Sequence, residues 1–203
     1  GSFAARYGGR LSSVTDVRTK DGDMRNYHGN FSIGLLSSHL SVEGPIVKDR
    51  TSFIVSARRS YADWLLNALK KPLGLSVDRL DLYFYDLNAK INHKFSDNDR
   101  IYLSFYRGQD VTGVTDKDND EYNGLRRARR TSLDVGWGNT LYQLRWNHIF
   151  SPQLFANLTA GYNRFGLHYA GSDENKDYLN NILRSSEAFE QRFSSGINDL
   201  MTS

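Results

Sequence analysis

The side chains best suited to chemistry fall in a few short stretches of this chain. DKDND, Asp116 to Asp120, spaces its carboxylates much as a calcium loop does. Glu121 stands where the turn glycine of such a loop belongs, however, and Arg127 where its closing glutamate belongs. Composition therefore favours a solvated loop. RRARR, Arg126 to Arg130, is dense enough in charge to suggest nucleic acid. Beside DKDNDE it is better read as balancing loop charge or facing anionic lipid headgroups, so no nucleic-acid partner is expected. The histidines at 28, 39, 93, 148 and 168 lack the HxxxH or HExxH spacing of a metal site, and single interfacial or lumenal histidines account for them. Tyr7-Gly8-Gly9-Arg10 lacks the lysine and helical continuation of a phosphate loop, and no nucleophile elbow or dinucleotide fingerprint appears. The sequence thus assigns no catalytic residue, metal site or cofactor, and an enzyme is not expected.

The elements that would position these groups are strands. In RLDLYFYDLNAKINHKF one set reads Tyr83, Tyr85, Leu87, Ala89, Ile91, His93, Phe95, and the other Leu82, Phe84, Asp86, Asn88, Lys90, Asn92, Lys94. One face is apolar with aromatics near both ends, and the other turns polar, which is the period-two signature of a strand. The run is long against a usual strand of about 5–6 residues. LYQLRWNHIF, LFANLTAGYNRF and RIYLSFYRG repeat the pattern: Tyr142, Leu144, Trp146 and His148 oppose Gln143, Arg145 and Asn147, while Ile101, Leu103 and Phe105 oppose Tyr102, Ser104 and Tyr106.

Connections alternate in length. SDNDR (96–100) and SPQ (151–153) are tight turns, whereas 62–78, 109–138 and 171–191 are expected to be long loops. Within the long ones, ADWLLNALKK places Trp64, Leu65, Ala68 and Leu69 at helical spacing ahead of Pro72, and DYLNNILRSSEAF is similar. From Tyr27 to Glu43 the apolar phase switches near Leu36-Ser37, which predicts two strands, about 26–34 and 37–43, joined by a short turn. With 51–61 and a last strand from 192 onward, eight strands are expected. Short turns at one end and long loops at the other is the asymmetry of an outer-membrane β-barrel.

Composition permits that class. Basic and acidic side chains number 26 and 23, too balanced for a nucleic-acid binder, and no cysteine is present to form a disulfide framework. The apolar runs are far shorter than the roughly 18–20 residues of a membrane helix. A barrel needs none, because half of each strand faces a polar lumen. Arg58 and Arg59 are adjacent, so one must point outward. Arg59 lies as far beyond Phe53 as Arg107 does beyond Ile101, high enough for the guanidinium to snorkel to headgroup level.

YGGRLSSVTDVRTKDG (7–22), followed by HGNFSIGLLSSHLSVEGPIVKDRTSF and DLNAKINHKFSDNDRIYLSFYRGQD, resembles the plug end and first barrel strands of TonB-dependent outer-membrane transporters of Bacteroidetes type. The resemblance covers essentially the whole chain. It implies residues 1–22 as the C-terminal end of a plug domain and 23–203 as the N-terminal part of a transmembrane β-barrel. The fold class is then all-β: an antiparallel up-and-down barrel of which about eight of 22 strands are present, with long extracellular loops that contain short helices. It further implies placement in the cell outer membrane, contact with its lipid, and energy from the TonB–ExbB–ExbD complex through a region upstream of this chain. The cargo would be a scarce nutrient, with siderophore, cobalamin, peptide and oligosaccharide all open. Tyr7, Gly8, Gly9, Arg10, Ser12, Ser13 and Val14 match the plug motif, as core packing. Arg58, Asp86, Asn88, Lys90, Asn92, Tyr102, Tyr106, Arg145 and Asn147 are the lumen-facing candidates. The alternative is a complete eight-stranded outer-membrane barrel with a structural or adhesion role.

Overall fold

Period-two alternation only becomes structure when each strand finds a neighbour for its backbone groups. In a computed structural model, which describes residues 19–75 and 77–202, it does so by the simplest route. The strands are β1 (His28–Ile33), β2 (Ser37–Val47), β3 (Thr51–Ser60), β4 (Arg79–Ser96), β5 (Asp99–Tyr122), β6 (Leu125–Ser151), β7 (Leu154–Leu179) and β8 (Ile182–Thr202). They form one eight-stranded sheet in sequence order, with every neighbouring pair antiparallel. The sheet is open, since β1 and β8 do not pair. The plug-motif residues Tyr7, Gly8, Gly9, Arg10, Ser12, Ser13 and Val14 lie outside the described residues.

The phase switch near Leu36 is indeed a turn between two strands, and a register shift between Pro45 and Val47 bends β2 towards its end. One expected helix is present: α1 (Ala62–Leu69) connects β3 to β4. Asn67 ties it to the start of β4, donating to the Leu80 carbonyl at 2.5 Å and accepting the Leu80 N–H at 3.0 Å.

The expected long loops at 109–138 and 171–191 are instead strand. β5 and β6 stay paired up to a two-residue turn at Asn123-Gly124, and β7 and β8 up to Asn180-Asn181. All four turn residues have positive φ (50°, 79°, 52° and 65°), the requirement of the tight hairpin turn whose twist matches its strands. DYLNNILRSSEAF is therefore a hairpin rather than a helix, and β8 begins at Ile182 rather than near 192. DKDND and RRARR are likewise not loops. They pair with each other across β5 and β6, and the arginines reach β7, Arg127 to Asp177 at 2.9 Å and Arg129 to Asp173 at 2.8 Å. Cross-strand charge pairs of this kind let a polar hairpin extend as sheet.

Burial is inverted relative to a protein folded in water. Among the described residues the one buried large apolar side chain is Tyr102, while Glu43, Thr51, Ser52, Ser60, Lys90 and Asn92 are buried. Phe31, Leu40, Val55, Ile91, Leu103, Leu144 and Leu158, one from each strand from β1 to β7, share the opposite face and stand exposed. No helix among the described residues is long and apolar enough to cross a membrane, which says nothing of a β-barrel.

Candidate functional site

The register assembles the polar face rung by rung. Arg58 opposes Asp86, Asn88 opposes Tyr106, and Asn92, Tyr102 and Arg145 form one continuous rung across β4, β5 and β6. Lys90 stands one rung beyond Asn92, beside Ser104, and Asn147 stands on the rung of Arg100 and Asn157. The period of two therefore puts all nine lumen-facing candidates on one face of the sheet. Arg58 and Arg59 point to opposite faces, as adjacent strand residues must. Arg58 pairs with Asp86 at 2.8 Å, and Arg59 lies 5.5 Å from the centre of the Tyr83 ring.

Residues 19–22 lie on this face. Lys90 donates to the Thr19 carbonyl at 3.1 Å and forms an ion pair with Asp21, and Lys20 pairs with Glu43. Ser52, wholly buried, donates its hydroxyl to the Asp21 carbonyl at 3.0 Å. Gly22 closes the contact with φ +82°, and a Cβ there would sit 2.5 Å from the Phe53 carbonyl oxygen. The left-handed backbone and this close approach together require glycine. Among the partners here, Thr19, Lys20, Asp21, Glu43 and Ser52 are absent from the sequence-derived set. Alternation in TSFIVSARR could have given Ser52, which shares a phase with Ser56 and Arg58.

Tyr102 is the centre of the face. Arg145 stacks its guanidinium 4.2 Å above the ring centre, and the Lys90 ammonium is 5.3 Å from it. Two cations at one ring are tolerable because the ring quadrupole attracts both. Tyr106 lays its phenol over Gly108, where a side chain would collide with it. Beside residues 19–20 a cleft of about 650 Å³ opens between His39, Ser56, Asn88, Ser104 and Gln143. Among the described residues, Asn92 Oδ1, Asn147 Oδ1, Arg145 Nε and Glu43 Oε2 are buried and meet no hydrogen-bond partner. Such groups normally find one. The arrangement can hold a peptide segment by its carbonyls and carboxylates.

Entry from 19–22 into β1 runs through a turn built on Asp23. Its carboxylate accepts the N–H groups of Arg25 at 2.6 Å and Asn26 at 3.0 Å, and it contacts His28 at 3.0 Å. Those backbone donors, then His28, hold the Asp23 carboxyl down at about 2. A depressed acid stabilises the fold above its unfolded value near 3.8, and that contribution is lost as pH falls through about 2. Protection of the Arg25 and Asn26 amides, the intrinsic exchange rate relative to the observed rate at each pH, should therefore hold steady down to about pH 4 and fall between 4 and 2. In Asp23→Ala it should be low throughout. Protection in the parent chain that is unchanged across that window would show that the carboxylate does not hold the turn.

Comparison of the chain with protein-family models, with curated proteins and with solved structures gives no match.

Proposed function

We propose that this chain is part of a TonB-dependent transporter of the bacterial outer membrane, with residues 19–22 ending a plug segment and β1–β8 forming part of the barrel wall. The observation that carries the reading is the inverted burial. A single-layer sheet with one buried large apolar side chain has almost no hydrophobic driving force in water. Its exposed apolar face needs a lipid solvent, and its polar face needs a filler or an aqueous channel. Strands tilted about 40° advance roughly 2.5 Å per residue along the membrane normal, so about ten residues cross a 25 Å apolar belt. Leu154 to Tyr162 fits that span, with Arg164 just beyond it. The ion pairs of residues 19–22 with β2 and β4 support a filler that is covalently continuous with the wall. The open sheet favours a larger barrel over a complete eight-stranded one, which requires β1 to pair with β8. The cargo would be a scarce nutrient, and TonB–ExbB–ExbD the source of energy.

The chain lacks cysteine, so cysteines introduced into it report their own positions once any elsewhere in the intact protein are replaced. In the intact protein in native membranes, cysteines at Leu40, Leu103, Leu144 and Leu158 should resist a charged maleimide and react with a membrane-soluble one. Cysteines at Asn88, Ser104 and Gln143 should do the reverse. Equal labelling of both sets by the charged reagent would sink the membrane reading.

A further inference from the structure

On the apolar face, just past the belt, Arg107, Thr140 and Arg164 share one rung across β5, β6 and β7. The rung before it carries Tyr142 and Tyr162, with Leu144 and Ala160 before those. The next rung beyond is Gln109, Gly138 and Gly166, and the one after it brings His168 against Gly136. All of these but Leu144, Ala160 and Gly136 line a cleft of about 640 Å³, to which Gly138 and Gly166 contribute backbone alone. An added Cβ at Gly166 would meet nothing within 4 Å. Among the described residues neither Arg107 nor Arg164 forms an ion pair, although Arg127, Arg129 and Arg192 all do.

Snorkelling explains why one arginine can sit at this height. It does not explain two converging on a cleft. Their Cα atoms are two strand spacings apart, about 10 Å. Side chains of that length can meet above the short Thr140 and leave an anion-sized gap between two planar, unneutralised guanidinium groups. Arginine is the side chain best matched to a phosphate. The tyrosines on the rung below mark the boundary between polar headgroup and acyl chain. Polar grip, bare floor and apolar track follow in the order of a phospholipid-like molecule.

We propose that Arg107 and Arg164 form a binding site for the phosphate of a membrane lipid, with its acyl chains lying along Tyr142, Tyr162 and Leu144. The proposal rests on the membrane placement given above. The polar headgroup enters the glycine-floored cleft, and the site makes this part of the wall prefer phosphorylated lipid over neutral lipid of the same chain length.

The test uses the intact protein in micelles doped with either phosphatidic acid or diacylglycerol, with bound lipid counted by native mass spectrometry. Two arginines near a surface support a preference of about thirtyfold for phosphatidic acid. Arg107→Gln combined with Arg164→Gln should abolish it. Gly166→Leu, which fills the cleft and keeps both charges, should abolish it too and guards against a folding defect in the double variant. Inorganic phosphate at 1 mM should not displace the lipid. Displacement by phosphate would make this a free-anion site and overturn the proposal, as would a preference that survives both variants. A cysteine at Leu144 labelled in parallel separates the two readings. If it is lipid-facing while the preference is absent, the lipid site alone fails. If it is water-facing, the membrane placement fails with it.

Discussion

Replacing Asp21 with alanine is expected to loosen residues 19–22 on the sheet, and to cost far more than replacing its partner Lys90 with methionine. The two ends of this ion pair are unequal: the Lys90 side chain is 9% exposed and that of Asp21 41%. Asp21→Ala strands a buried ammonium with one carbonyl, one hydroxyl and the Tyr102 face for company. Breaking a buried pair from one side costs about 3–5 kcal/mol, and the remaining neutral partners place this case near 3. Lys90→Met leaves behind a carboxylate that water already reaches, at about 1 kcal/mol. In the double variant the stranded charge is gone, so the loss should shrink towards that of Lys90→Met. Hydrogen exchange of peptides covering 19–23 in the intact protein, with thermal midpoints for all three variants, closes the cycle. Equal losses from either single variant, or strict additivity in the double, would show that the pair is a solvated contact and that something else holds the segment.

That asymmetry also marks the limit of what could be read from the sequence. Alternation placed Lys90, Asn92 and Tyr102 on one face because a period of two survives any strand length. It could not supply Asp21, since the partner sits 69 residues away in a segment with no periodicity of its own. Glu43 was hidden for the same reason, because its pairing with Lys20 spans 23 residues. The long hairpins failed differently. DKDND and RRARR have the composition of a solvated loop, and only the cross-strand register sets Asp118 against Arg129, Asp120 against Arg127 and Glu121 against Arg126. Tyr178, Leu179, Ile182 and Leu183 fit a helical spacing as well as they fit two strand ends. The deciding feature is the pair Asn180-Asn181, which accepts positive φ at both positions. Sequence pattern thus established the common face of the nine polar candidates and how many strands there are. It missed contacts set by tertiary distance and hairpins held by charge.

Tyr102→Ala should be the most damaging substitution within the sheet itself. The ring is 6% exposed and lies under two cations, Arg145 at 4.2 Å and Lys90 at 5.3 Å. Deleting it opens a cavity and removes the negative π-system that both charges use, for a loss of about 3 kcal/mol. Two milder variants separate those effects. Tyr102→Phe keeps the face and should be nearly silent, while Tyr102→Leu keeps much of the volume without the quadrupole and should lose about 1 kcal/mol. Unfolding of the intact protein in micelles gives the order Phe, Leu, Ala directly. The exchange of residues 19–22 gives the functional half: Tyr102→Ala should loosen them, because Lys90 loses the surface that holds its ammonium toward Asp21, and Tyr102→Phe should not. If Tyr102→Leu is as silent as Tyr102→Phe, the ring acts by volume alone. The sheet would then grip residues 19–22 through its ion pairs without help from the stack.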